Sequence, residues 1–192
     1  LGGFYLDILK DRLYTSAKGS AARRSAQSAL NEILIALTRL IAPVLSFTAE
    51  EIWAVTHPSD DPEKASSVFL ETFHSLSPVE DAAGLQARWN RIRDLRAVAQ
   101  KAIEEQRAAG VVGSSLQAEI VLHVPASDKA ILDSLGDDLR LVMITSAATT
   151  ALAGSDQVTV SATASSHAKC ERCWHYRADV GAKSEHPTIC GR

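Results

Sequence analysis

The sequence predicts a mainly α-helical fold: a helical bundle, then a small α+β unit, then a cysteine-rich tail. Three observations carry this prediction. Apolar residues recur at helical spacing through most of the first 110 residues. Branched residues begin to alternate with others soon after, which is typical of a strand. All three cysteines lie in the last 23 residues. The predicted domains are therefore 1–80, 81–163 and 164–192.

The helical bundle is predicted from three helices. Apolar spacing predicts the first over 4–17. Ser20 can cap the start of a second helix, and Pro43, which lacks an amide hydrogen, ends it. The capping-box pattern TAEE at 48–51 predicts where a third helix begins. The second helix carries a broad apolar stripe that should face a core, formed by Leu30, Ile33, Leu34, Leu37, Leu40 and Ile41.

The second domain begins with one long amphipathic helix over 81–110. Gly110 is expected to end it in a left-handed conformation. Partial alternation over 116–124 then predicts a strand. The remaining predicted elements are, in chain order, a helix over 127–135, a strand over 140–145, a loop over 146–154 and a strand over 157–163.

Composition excludes several classes of protein. The chain is 46% apolar and 22% charged, which is ordinary for a globular protein. It has no apolar run long enough to span a membrane and no signal-peptide pattern, so we expect neither a membrane partner nor export. Cysteines confined to one tail indicate a metal in a reducing compartment rather than a disulfide framework.

Charge is unevenly distributed along the chain. The net charge of −3 argues against a generally basic nucleic-acid binder. Residues 1–48 nevertheless hold six basic and three acidic groups, and residues 87–110 hold the same numbers. Positive charge on particular helices permits a polyanion on one face. A solvated basic face would account for the same pattern.

The tail contains half of a zinc motif and the start of another. Cys170 and Cys173 form a C-x2-C pair, and Cys190 follows after sixteen intervening residues. Two such pairs suit tetrahedral zinc, and a second pair would need a cysteine one position past residue 192. We therefore expect a zinc-binding tail that is truncated, with an incomplete site. Three unpaired structural cysteines are the alternative. The histidines that could instead complete the site are His167, His175 and His186.

Five residues are candidates for RNA contacts. Arg172 and Trp174 flank the second cysteine and could stack on unpaired bases, although Trp174 could equally pack beneath the metal site. Lys18, Arg23 and Arg24 lie at a helix start, where the helix dipole also favours phosphate. A solvated helix end is the alternative for these three. No catalytic residue is predicted, because the sequence has no Gly-rich phosphate loop, nucleophile elbow or HExxH motif.

A set of short segments, spread along the chain, carries a resemblance to a known family. In order, these segments are Phe4–Asp7, Lys10–Tyr14, Arg23–Gln27, Ala42–Pro43, Phe47–Trp53, Gly113–Ala118 and the Cys-x-Arg-Cys-Trp tail at 170–174. Together they resemble the C-terminal anticodon-binding and zinc-binding region of bacterial isoleucyl-tRNA synthetases, within class I of the aminoacyl-tRNA synthetases. The tail is similar to the zinc-binding end of that family. The resemblance covers essentially the whole chain.

The resemblance implies recognition of the tRNA(Ile) anticodon stem-loop by part of a cytoplasmic, monomeric isoleucine–tRNA ligase. It implies that Cys170, Cys173 and Cys190 are zinc ligands and that Arg172 and Trp174 approach the anticodon. ATP and isoleucine would bind to a catalytic domain elsewhere, since the HIGH-type and KMSKS-type signatures are absent here. No DNA partner is implied. The rival interpretation is a zinc-ribbon protein-interaction module on a helical scaffold, without RNA binding.

Overall fold

The computed structural model describes residues 2–61 and 66–191. These residues form two compact units. The smaller unit is Ala17–Glu80, and the larger unit combines Leu1–Ser16 with Asp81–Arg192. The mainly α fold class, with a small sheet and a C-terminal cysteine cluster, is confirmed. In the described part of the chain, no helix combines the length and apolar character needed to cross a bilayer.

The units do not follow the predicted division at every point. Residues 2–16, which the sequence analysis placed in the helical bundle, group with the larger unit. The boundaries at 80 and 163 stay a prediction. Each unit is described in turn.

In the described part of the smaller unit, residues 17–61 and 66–80, there are two α-helices. Helix α2 spans Ala21–Ile41, and α3 spans Ser46–Thr56. The Ser20 side chain caps α2 by accepting the Arg23 amide at 3.3 Å, as predicted. The helix ends two residues before Pro43, also as predicted. A single 3-10 turn, Val68–Leu70, follows α3.

The predicted capping box does not start α3. The helix begins at Ser46, so Thr48 lies inside its first turn and cannot act as the cap. The carboxylate of Glu50 instead accepts the backbone amide of Val68 at 2.9 Å. This contact ties the 3-10 turn to α3, which the local sequence pattern could not reveal.

The core of the smaller unit is small. Its buried apolar residues are Ala42, Ala49, Trp53 and Val68. The Trp53 indole donates to Ser66 at 3.0 Å, and the Arg39 guanidinium lies 5.3 Å from its ring. Part of the predicted apolar stripe on α2 stays accessible: Leu34, Leu37 and Leu40 are 39%, 43% and 61% exposed.

Within residues 2–16 and 81–191, the larger unit contains four α-helices and five strands. A π-helical turn, Gly2–Leu6, leads into α1, and α4 is a helix of 27 residues. The Asp81 carboxylate caps α4 through the Gly84 amide at 3.2 Å. Gly110 follows α4 with φ +74°, the predicted left-handed end. The elements are α1 (Asp7–Thr15), α4 (Ala82–Ala108), β1 (Ala118–Val124), α5 (Ala126–Asp133), α6 (Asp138–Met143), β2 (Ala147–Leu152), β3 (Thr159–Ala164), β4 (Ala168–Lys169) and β5 (Tyr176–Arg177).

A three-stranded sheet with the order β2-β1-β3 packs on α4. Strand β1 is parallel to β2 and antiparallel to β3, with Ile120 opposite Ala148 and Ala162. Burial alternates along β1, so one face of the sheet points into the core. The buried core comprises Ile92, Leu95, Ala99, Ile103, Val112, Ala118, Ile120, Leu122, Val124, Leu132, Leu139, Val142 and Met143.

Two elements of this unit differ from the sequence prediction. The segment predicted as a strand over 140–145 lies mostly in helix α6. A short apolar run has no clear period, so it fits a buried helix as well as a buried strand. The predicted loop over 146–154 contains strand β2, whose mostly small residues pair with β1.

An ion pair joins α4 to α5. Arg91 donates to both carboxylate oxygens of Asp128, at 2.8 and 2.5 Å. Hydrogen bonding from Arg91 lowers the pKa of Asp128 below its ordinary value. The buried Arg96 guanidinium donates to the Val142 carbonyl at 2.8 Å, which ties α4 to α6. These contacts fix α4 against the elements that surround the sheet.

Candidate metal centre

A tight turn brings the first two cysteines together. Strands β4 and β5 pair antiparallel, with Lys169 opposite Tyr176. At the end of this ribbon, the Cys170 amide donates to the His175 carbonyl at 2.9 Å, and the Trp174 amide donates to the Cys170 carbonyl at 2.9 Å. We call residues 170–175 the knuckle. Its closed backbone sets the spacing of its two thiols.

The third cysteine reaches the knuckle through a second segment of chain. The Glu171 amide donates to the Thr188 carbonyl at 3.1 Å, which carries Cys190 to the first pair. The ligand atoms of all three cysteines lie within 4.8 Å of one another, and the Cys173 and Cys190 sulfurs are 3.7 Å apart. The Cys190 amide donates to the Cys170 sulfur at 3.3 Å. Three predicted ligand positions thus converge on one point.

The electrostatics of the cluster differ between thiols. Burial raises the pKa of Cys170, but hydrogen bonds from the backbone of Cys173, Cys190 and Arg172 outweigh it and hold this pKa at about 7. Burial raises the pKa of Cys173 to about 12, and the neighbouring sulfurs add to that rise. Three sulfurs this close together could all be thiolates only beside a cation that neutralises their charge. A buried set of three sulfurs supplied with amide donors fits zinc.

No histidine belongs to the cluster within residues 2–61 and 66–191. His175 is buried, but its Nε2 atom lies 3.2 Å from the Asp11 carboxylate of α1. His167 and His186 are exposed. The alternative in which a histidine completes the site therefore has no support among the described residues.

Trp174 is 60% exposed, so it does not pack beneath the metal site. Its backbone has φ +64°, a left-handed conformation that a bulky residue adopts only when its surroundings impose it. The Lys169 ammonium lies 5.3 Å from the centroid of the indole ring. An accessible aromatic face with a cation beside it suits stacking on an unpaired base.

Arg172 makes a contact within the protein. Its guanidinium donates to the carbonyl of Thr15, the last residue of α1, at 2.9 Å. The side chain is otherwise exposed. Sequence analysis missed this contact, together with the contact between Asp11 and His175. Both join residues more than 150 positions apart, and no local pattern marks such pairs.

A cleft of about 380 Å³ lies between α1 and the knuckle. Apolar side chains of Leu116, Leu141 and Ile144 line it together with knuckle residues. Lys10 and Tyr14 of α1 also line it, and Tyr14 is 78% exposed. The lining of the cleft is therefore largely apolar, and it also includes aromatic rings, cationic groups and the carboxylates of Asp7 and Asp11.

The remaining candidate RNA contacts belong to the smaller unit. Lys18 and Arg24 are exposed at the start of α2, while Arg23 is half-buried. The Arg23 amide already binds the Ser20 side chain. The start of α2 therefore presents basic side chains to a ligand, while the Arg23 amide is already hydrogen-bonded within the protein.

These features define a class of protein: a helical unit and an α+β unit joined to a cysteine knuckle suited to zinc. Comparison with known families identifies the family within this class. A model described as the anticodon-binding domain of tRNA ligase matches residues 1–122. A zinc finger found in FPG and IleRS matches residues 169–192. The chain belongs to the family of anticodon-binding domains of tRNA ligases.

Individual relatives agree with the family match. The isoleucine–tRNA ligase of Bordetella parapertussis is 55% identical over 196 aligned positions. The corresponding proteins of Bordetella petrii and Burkholderia multivorans are 54% and 53% identical. Each comparison covers all of this chain and 20% of the relative. The chain therefore spans about a fifth of the length of these curated relatives.

Proposed function

We propose that this chain is the part of an isoleucine–tRNA ligase that binds the anticodon stem-loop of tRNA(Ile). The observation that carries the proposal is that an anticodon-binding domain model and a zinc-finger model both match this chain, whose similar relatives are named isoleucine–tRNA ligase. ATP-dependent attachment of isoleucine would take place elsewhere in the longer enzyme. We also propose a cytoplasmic, monomeric enzyme, with no DNA or membrane partner.

Zinc is the proposed metal, held by Cys170, Cys173 and Cys190. The convergence of their sulfurs within 4.8 Å supports this assignment. We propose that the fourth ligand comes from outside the described residues. When bound, zinc would neutralise the crowded thiolates and hold the knuckle in one shape. Its role here is structural.

Two surfaces are proposed to contact the RNA. At the start of α2, Lys18, Arg23 and Arg24 would bind phosphates and position the stem-loop. At the knuckle, exposed Trp174 would stack on an unpaired base, and the free edge of the Arg172 guanidinium would add positive charge. Phosphate contacts carry affinity, and base contacts carry specificity.

The rival function is a zinc module that binds another protein through the same knuckle. No observation on the described residues favours a protein partner over RNA. An accessible aromatic ring beside a lysine suits a nucleobase, and the family match names a tRNA ligase. Binding experiments separate the two.

The test is titration of labelled tRNA(Ile) against the zinc-loaded ligase at two salt concentrations. RNA binding through phosphates predicts an affinity that falls as salt rises, because bound counterions are released. Replacing Arg23 and Arg24 together by Glu should weaken binding by at least tenfold and flatten the salt dependence. The same charge change at Arg88 and Lys101, two exposed residues of α4, is the matched control.

The outcomes are distinct. If the Arg23/Arg24 variant binds tRNA weakly and the Arg88/Lys101 variant binds it normally, the assignment of this helix start as an RNA contact is supported. Equal loss in both double variants would show that overall charge, and not this helix start, governs affinity. If the unmodified ligase does not bind tRNA(Ile) at either salt concentration, the proposed function is wrong and the protein-binding alternative takes its place.

A further inference from the structure

The knuckle is attached to helix α1 by two side-chain contacts. The Arg172 guanidinium donates to the Thr15 carbonyl at 2.9 Å. The His175 Nε2 atom lies 3.2 Å from the Asp11 carboxylate, and these two side chains are 3% and 14% exposed. Together the four residues form what we call the knuckle latch. It lies entirely within the larger unit.

Two contacts fix the orientation of the knuckle on α1, whereas a single contact would let the knuckle rotate about it. Arg172 precedes Cys173 and His175 follows it, so the contacts leave from both sides of one metal-ligand position. On α1, Asp11 and Thr15 are one helical turn apart on the same face. The Thr15 hydroxyl also donates to the Asp11 carbonyl at 2.7 Å, inside the helix. The knuckle is therefore held against a rigid element.

The cysteines and the latch do different things. The three sulfurs lie within 4.8 Å of one another, and the contacts that close the turn are internal to residues 170–190. These determine the shape of the knuckle. Its placement on the rest of the unit depends on the latch and on a bond from the Tyr176 amide to the Ser146 hydroxyl at 2.6 Å.

Trp174 lies between the two latch residues of the knuckle. It is exposed, and its backbone is left-handed, so the ring direction follows from how its neighbours are held. A stacking residue contributes only when its ring plane is fixed within a fraction of an ångström. Resting on the proposed function, we propose that Asp11 and His175 are positioning residues that hold Trp174 for base stacking in the bound tRNA.

The decisive variants alter the latch in the zinc-loaded ligase without touching the cysteines. Asp11→Asn removes the carboxylate charge that faces His175, and His175→Leu removes the imidazole that faces Asp11. Each is expected to raise KM for tRNA about tenfold, because Trp174 loses its fixed direction. The kcat at saturating tRNA, isoleucine-dependent ATP–pyrophosphate exchange and zinc content should stay within twofold of the parent.

A conservative variant and a matched control complete the design. His175→Gln keeps an amide donor near the position of Nε2 and should return KM to within twofold of the parent. Asp7→Asn makes the same chemical change one turn earlier on α1, where the carboxylate pairs with Lys10 at 2.7 Å. It should leave KM unchanged. Combining Asp11→Asn with His175→Leu should add little to either single variant, since both break one contact.

Each result bears on the proposal. A normal KM in Asp11→Asn and His175→Leu, in a ligase that binds tRNA, overturns the latch and leaves the proposed function standing. Loss of zinc in these variants also overturns it, since the latch acts on placement and not on metal binding. If the parent ligase binds no tRNA, the proposed function fails. Hydrogen exchange at the last turn of α1 then tests the latch contact alone, and faster exchange in Asp11→Asn supports it.

Discussion

The two units of the chain bury their apolar side chains to different degrees. The larger unit has a continuous core of thirteen buried apolar residues, centred on β1 and α4. The smaller unit has a cluster of four, while Leu37, Leu40 and Phe47 are 43%, 61% and 89% exposed. An amphipathic pattern therefore tells which side of a helix is apolar, but not whether that side is covered within the same unit.

The comparison extends to the knuckle, where burial of apolar surface plays a small part. Its contacts are backbone hydrogen bonds, the latch and the three thiols. Modules of this kind take much of their folding free energy from the metal. We therefore distinguish three sources of stability in one chain: a packed core, a sparse helical cluster and the proposed metal site. The following predictions separate them, from the largest effect to the smallest.

Metal removal should produce the largest effect, confined to residues 168–191. Structural zinc contributes roughly 10–16 kcal/mol of apparent binding free energy in small modules, so chelation should unfold the knuckle. Hydrogen exchange measured with and without chelator should show lost protection there, with β1 amides unchanged. Equal loss of protection in the knuckle and in β1 would mean that the knuckle and the core unfold as one cooperative structure, against this account.

A core substitution in the larger unit should come next. Leu122 is fully buried in β1, so Leu122→Ala removes packed atoms and leaves a cavity. We expect the free energy of unfolding to fall by about 3 kcal/mol. Exchange of the β1 amides in the global unfolding limit measures it. A change under about 1 kcal/mol would show that this core is loosely packed.

The ion pair between Arg91 and Asp128 gives a smaller, pH-dependent effect. Arg91 lowers the pKa of Asp128 from 3.8, so the pair stabilises the folded state above that value. This stability is lost as pH falls below 3.8 towards the folded pKa. Because Arg91 is 42% exposed, screening limits the contribution to about 1 kcal/mol. Unfolding free energy measured at pH 7 and pH 3 should change less in Asp128→Asn than in the parent.

The smallest effect is expected at the exposed apolar stripe of the smaller unit. Leu37→Ala in the 192-residue chain should change the free energy of unfolding of that unit by less than about 0.5 kcal/mol, because the side chain stays accessible. Hydrogen exchange of the α2 amides, followed as urea is raised, measures the stability of that unit. A loss comparable to that of Leu122→Ala would contradict the comparison between the two units.

Much of this fold could be predicted because its signals are local. The Ser20 cap, the end of α2 near Pro43, the long helix α4 and its left-handed Gly110 depend on a few neighbouring residues. Helix α6 and strand β2 could not be predicted, because they take their form from packing on the sheet. In segments this short, the spacing of apolar residues is too weak a signal to distinguish a helix from a strand.

The site shows the same division. The spacing of Cys170, Cys173 and Cys190 indicated a metal site, and the structure brings the three sulfurs together. The attachment of the knuckle to α1 left no trace in the sequence, because Asp11 and His175 are ordinary residues far apart in the chain. Arg172 was selected as an RNA contact, yet its guanidinium also binds the Thr15 carbonyl. A sequence motif therefore indicates candidate metal ligands more readily than it indicates where the knuckle lies on the rest of the fold.

Anticodon recognition is tested most directly by exchanging the anticodon. The zinc-loaded ligase is titrated with the stem-loop of tRNA(Ile), and with the same stem-loop carrying the anticodon of an unrelated tRNA. Stem phosphates are common to both, so any difference comes from the bases. The account predicts at least tenfold tighter binding of the isoleucine stem-loop, and a smaller preference in Trp174→Ala. Equal affinity for the two stem-loops would contradict it.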